Sequence, residues 1–191
     1  MQVIANIHMD KVFKFLKKWA SGQTVLWFFI ATMVVYLTML LYTLPAVERF
    51  AQGKELFDLS PTGYSYKDAV SLLEALGAEG RDVYLNLQLP IDFIYPGLFA
   101  IAYSLLLTWI FSKSYAAHSA IYYFAVIPFC AGLFDYLENI GILGMIKSYP
   151  NVPRELVFVS STFTVLKSGF TIIFFVLLFV GIFKVIKKRQ E

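Results

Sequence analysis

Three polar residues interrupt a long apolar run: Asp135, Glu138 and Asn139 in "FDYLEN". Their i, i+3, i+4 spacing puts them on one face of a helix. An ionised acid at bilayer depth costs at least ~2.5–3.5 kcal/mol on insertion scales, so such residues face protein or water and find partners. A partner stands on the next apolar stretch. Ser160, Thr164, Lys167 and Thr171 recur at i, i+4, i+7 and i+11. A lone Ser or Thr in a membrane helix costs little, because its hydroxyl can bond the carbonyl one turn back. Lys167 has no such local outlet and requires an acid. If the two stretches are antiparallel neighbours, Lys167 lies level with Asp135, and Glu138 lies about one turn nearer the outside.

A third stretch contributes "LPIDFIYPG", with Asp92 and Tyr95 ahead of Pro96. Pro96 has no N–H to donate, and its ring crowds the Asp92 carbonyl, so a kink is expected there. Asp92 could equally be an interfacial or helix-capping acid. Tyr95 and Tyr103 fall near the Asp92 face, and the first apolar stretch adds only Thr32, Tyr36 and Thr43. The candidate site is therefore Asp92, Tyr95, Asp135, Glu138, Asn139, Thr164 and Lys167. Clustered acids beside a desolvated lysine suit proton transfer or recognition of a charged ligand. They also suit a purely structural network, because polar groups between membrane helices act as modest glue.

Composition supplies the elements that must position these residues. The 191-residue chain is 59% hydrophobic and 15% charged, with a mean hydropathy of +0.67. Globular domains are nearer ~45–50% apolar and ~25% charged. Four stretches reach the ~20 residues needed to cross bilayer hydrocarbon: 24–44, 91–111, 119–146 and 156–183. The expected fold class is an all-α integral membrane protein, a four-transmembrane-helix bundle forming one membrane domain over 1–191.

Lys and Arg near the span ends set the orientation. Lys11, Lys14, Lys17 and Lys18 precede the first span, Lys113 follows the second, and Lys184, Lys187, Lys188 and Arg189 follow the fourth. All fall on one side of a four-span chain, so both termini are expected in the cytoplasm, with the protein in the bacterial cytoplasmic (inner) membrane. The first apolar stretch is too long for a signal-peptide core and has no clear cleavage site. Ahead of it, residues 1–20 are expected to include a short interfacial helix, with Val12, Phe15, Leu16 and Trp19 on its apolar face and Lys11, Lys14 and Lys18 opposite. Trp19, Trp27 and Trp109 suit an aromatic belt.

The 45–90 segment is too long for a plain connection. Ser65 and Asp68 form a capping-box pattern. A helix follows from Tyr66 with Val70, Leu73 and Leu76 as its stripe, and it should stop at Gly77. A second helix through "EGRDVYLNLQL" should feed past Pro90 into the second span. This segment is expected to be a helical extracytoplasmic cap over the outer mouth of the bundle.

Several classes are excluded or disfavoured. Cys130 is the only cysteine, so no disulfide or CxxC pair can form within the chain. His8 and His118 are expected at interfaces, not as paired haem ligands. No glycine-rich phosphate loop occurs, no metal or other cofactor is expected, and a net charge of +3 is too small to suggest nucleic acid. The arrangement of four spans with one long loop after the first resembles the span layout of EXPERA proteins (sterol isomerases and the sigma-2 receptor). That resemblance is of layout alone, with no shared motif and an acid-free first span here.

Three functions fit these residues. The first is an outward-facing intramembrane polar pocket that binds an amphipathic or lipid-like ligand. Its partners would be membrane lipids or a hydrophobic small molecule. The second is a structural or assembly protein held by the Asp/Glu–Lys network. The third is a small transporter or proton-coupled subunit, for which no inverted repeat is detectable. A pocket of ~300 Å³ or more, lined by polar and aromatic groups, would favour the first.

Overall fold

A computed structural model describes residues 13–116 and 119–190. The described residues contain helices and turns but no strand. The helices are α1 (13–19), α2 (Gly22–Thr38), α3 (Leu44–Glu48), α4 (Tyr66–Val83), α5 (Leu89–Asp92), α6 (Tyr95–Ser114), α7 (Ile127–Ser148) and α8 (Arg154–Gln190). Four helical stretches are long and apolar enough to cross a membrane: Gly22–Glu48, Tyr66–Ser114, Ala120–Ser148 and Arg154–Gln190. The chain is thus a helical protein with four candidate membrane-spanning helices. Their outer faces carry large exposed apolar side chains, including Trp27, Leu41, Phe158, Phe179 and Phe183. Exposed apolar surface on that scale is foreign to a soluble monomer and natural against hydrocarbon.

Prolines explain where the long helices change character. Pro45 and Pro90 each follow a wide π-turn, Met39–Thr43 and Tyr84–Gln88. Each proline crowds the carbonyl four residues before it, Leu41 or Asn86, and each of those carbonyls lies inside the wide turn. The extra residue in the turn relieves the clash. The two turns are tied together, Thr43 Oγ1 donating to Gln88 Oε1. Pro96 opens the chain at Phe93–Ile94, between α5 and α6, as its position predicts. Pro128 opens α7, and the chain before it is a tighter 3₁₀ segment, Ala120–Val126. The third span is therefore not α-helical throughout 119–146.

The segment between the first two spans is folded. Ser65 and Asp68 form the capping box, with backbone bonds in both directions. α4 turns at Gly77, whose φ of 61° is open to glycine and strained for other residues. Its buried stripe is Ala69, Leu72, Leu73 and Leu76. Val70 is only half-buried, because α4 presents Ala69 and Leu72 to the core instead. These residues pack with Val47, Leu56, Phe57 and Tyr84, and with Ile142 and Met145 from α7. Burial of this kind contributes about 1.5–3 kcal/mol for each large apolar side chain.

The basic residues that set the expected orientation gather at the opposite end. Lys184 lies over Tyr115, Lys17 over Tyr122, and Lys188 Nζ donates to the Lys113 carbonyl at 3.2 Å. In α1, Phe13 and Leu16 are buried, whereas Phe15 and Trp19 are exposed. Phe13 meets the Tyr123 ring edge-on at 4.7 Å between centroids, so α1 turns Phe13 and Leu16 to the protein and leaves Phe15 and Trp19 of its expected apolar face outward. Val12, Lys11, His8 and His118 lie outside the described residues.

Candidate functional site

α7 and α8 form the most intimate helix pair, and Gly141 permits it. A Cβ at that position would overlap the Ser160 side chain. This close approach brings the two polar faces together. Lys167 Nζ pairs with Asp135 Oδ1 at 3.2 Å and with Glu138 Oε2. Thr164 Oγ1 donates to Glu138 Oε1 at 2.8 Å, and Ser160 Oγ to the Glu138 carbonyl at 3.5 Å. Thr171 Oγ1 bonds back to the Lys167 carbonyl at 2.9 Å. Glu138, Asn139 and Ser160 are fully buried, and Asp135 nearly so.

Asn139 answers the proline break. Its Nδ2 donates to the Asp92 carbonyl at 3.2 Å, the carbonyl freed by Pro96. The segment after the first span reaches down to the same network. Tyr64 N–H donates to Ser161 Oγ at 2.8 Å, and the Tyr64 hydroxyl meets Ser160 Oγ at 2.8 Å. Burial raises the Tyr64 phenol above its ordinary value, so it stays protonated.

Beside this packed network lies a cavity of about 420 Å³. Asp92, Asp135 and Lys167 line it, together with Tyr36, Tyr95 and Phe99. Asp58, Leu59 and Pro61 also line it, with Tyr36, Met39, Leu40 and Leu44 from the first span, Ala131 from α7, and residues of α8 from Lys167 to Phe175. Leu40, Ile172 and Phe175 also line it and are exposed. The cavity thus reaches the surface at apolar side chains of the first span and α8.

The predicted site residues divide at this point. Asp92, Tyr95, Asp135 and Lys167 line the cavity, whereas Glu138, Asn139 and Thr164 pack behind it. Tyr103 meets Phe99 edge-on at 4.6 Å between centroids and Phe174 at a tilt at 4.7 Å, and it does not line the cavity. Thr43 bonds Gln88, and Thr32 bonds the Phe28 carbonyl at 2.8 Å.

Sequence reasoning missed Asp58. It sits on a 3₁₀ turn, Phe57–Leu59, and lines the cavity. Tyr84 OH donates to its Oδ2, and Gln88 Nε2 to its Oδ1 at 3.3 Å. Asp58 and Asp92 line the same cavity. The signal was present in "ELFDL", where an acid follows Leu56 and Phe57, both about 1% exposed. The same Leu-Phe-Asp triplet opens the Asp135 region.

Among the described residues, no three His, Cys, Asp or Glu side chains are grouped to hold a metal ion. No family model, curated protein or solved structure matches the chain.

Proposed function

We propose that this is a polytopic membrane protein that binds an amphipathic, lipid-like molecule within the bilayer. The observation that carries this reading is the cavity of about 420 Å³, with acids and Lys167 deep inside and exposed apolar side chains at its rim. Ligand sites are typically ~300–1,000 Å³, mostly apolar, with a few placed polar groups. A head group would lie against Asp92, Asp135 and Lys167, and a tail would leave between α2 and α8 into hydrocarbon. The rim favours this over a pocket that opens straight to the aqueous face.

The proposed setting is a bacterial cytoplasmic membrane with both termini on the cytoplasmic side. Its support is the clustering of Lys17, Lys113, Lys184 and Lys188 at one end of the molecule. The 45–90 segment would then form a helical extracytoplasmic cap over a four-helix transmembrane bundle, and residues 58–61 would roof the pocket.

The test is mass spectrometry of molecules that co-purify with wild type and with Ser168→Phe. Ser168 lines the cavity and is half-buried. The expected result is an amphiphile retained by wild type and depleted in the variant at unchanged thermal stability. Equal retention by both proteins would refute the pocket reading.

A further inference from the structure

The acids around the cavity outnumber the base available to them. Asp58, Asp92 and Asp135 line it and Glu138 lies directly behind, while Lys167 is the one basic lining residue. Its ammonium is already engaged by Asp135 and Glu138. Asp58 is held by Tyr84 and Gln88. Asp92 differs from the other three. It is 3% exposed and lines the cavity, yet no amide, amine or hydroxyl among the described residues donates to its carboxyl. Asp58, which lines the same cavity, is another acid and offers it no donor.

A buried carboxylate without a donor is costly unless a cation or proton meets it. The rest of the lining is mostly aliphatic, with four aromatic rings among it: Tyr36, Tyr95, Phe99 and Phe175. Tyr36 and Tyr95 both line the cavity with ring centroids 5.8 Å apart, tilted by 33°. Ring faces attract cations, and the attraction grows when water is excluded. An anionic group beside aromatic faces is the chemistry that recognises an ammonium.

We propose that the ligand's head group is a protonated amine, held by Asp92 with Asp58 and faced by Tyr36 and Tyr95. This inference rests on the pocket reading above and adds the charge of the head group to it. The alkyl tail leaves past Leu40 and Ile172. Lys167 stays with Asp135 and Glu138, where it keeps the pocket from becoming a general cation trap.

The experiment is a native mass spectrometry titration of the full chain in neutral detergent at pH 7. The probes are dodecylamine, dodecanol and dodecanoic acid, which share one tail length. Wild type is expected to bind the amine saturably and more tightly than the alcohol or the acid. Asp92→Asn should weaken amine binding by about ten- to a hundredfold, the loss for a charge-assisted hydrogen bond of ~1.5–3 kcal/mol. Alcohol binding should be unmoved. Asp58→Asn is the second variant, with a smaller loss in the same direction, and it serves if the first does not fold. Equal binding of amine and alcohol by wild type would overturn the amine assignment and leave the pocket standing. So would amine binding indifferent to both substitutions. Absence of saturable binding of any probe, or binding that Ser168→Phe does not reduce, would overturn the pocket and the amine together.

Discussion

The polar network has two halves that behave oppositely. Behind the cavity, Glu138, Asn139, Ser160 and Thr164 are buried and spend their donors on one another, on Tyr64 and on a freed carbonyl. Facing the cavity, Asp58, Asp92 and Asp135 converge on a space with little apart from Lys167 to neutralise them. One half is packed against its neighbours, with Asn139 Oδ1 left without a donor, and the other lines an open cavity. The difference teaches that intramembrane acids need not share a role because they share a helix face. Asp135 and Glu138 are one turn apart on α7 and fall on opposite sides of the division. Lys167 is the seam.

Substitutions can break that division, and the largest effect is expected at the seam. Lys167→Met strips the cation from Asp135 and Glu138 and should cost about 3–5 kcal/mol, as for a broken buried pair. Chemical unfolding in detergent would measure it. Adding Asp135→Asn and Glu138→Gln should recover most of the loss, because no buried charge is then left alone. Failure to recover would mean that the pair is needed for packing as well as neutrality. Next is Gly141→Ala, which pushes a methyl into Ser160 and should cost about 1–3 kcal/mol. That substitution damages the packed half alone, so amphiphile binding per folded molecule should persist.

Asn139→Leu should cost about 1–3 kcal/mol by leaving the Asp92 carbonyl unpaired. Part of that loss would be offset if water reached the break, so the effect should fall below that of Gly141→Ala. Amide hydrogen exchange should rise locally around Phe93 and Ile94 rather than across α6. The smallest change in stability is expected for Ser168→Phe, within ~0.5 kcal/mol for a half-exposed position without a hydrogen bond. It should nonetheless be the variant that loses bound amphiphile. A Ser168→Phe protein that melts like Gly141→Ala would erase the distinction between the halves.

Much of the packed half was legible because its causes are local. Acids three and four apart share a face, hydroxyls at helical period form a stripe, and a buried lysine requires an acid. Pro96 announces the carbonyl it frees, although its partner, Asn139, lies 47 residues away. The open half was less legible, since a cavity is a property of several elements at once. Asp58 reads as an ordinary loop acid until tertiary packing carries Phe57 inward. On α1 apolar side chains have two places to go, protein or lipid, and periodicity alone does not say that Phe13 is the one that meets Tyr123. Val70 was assigned to the wrong side of a stripe by one position, where Ala69 fits the closer contact.

The paired π-turns have a consequence for how this chain tolerates change in length. Each wide turn holds one more residue than an α-turn, so the helix on one side is out of phase with the other by about 100°. Deleting a single residue within Met39–Thr43 would bring the Pro45 ring back against the carbonyl four residues before it while swinging Tyr36 and Leu40 away from the cavity. The same deletion within Tyr84–Gln88 would turn Asp92 relative to Asp58. The two segments are joined through Thr43 and Gln88, so a length change in one would need a matching change in the other. Variants of this protein should therefore gain or lose residues at these turns together, and seldom at one alone.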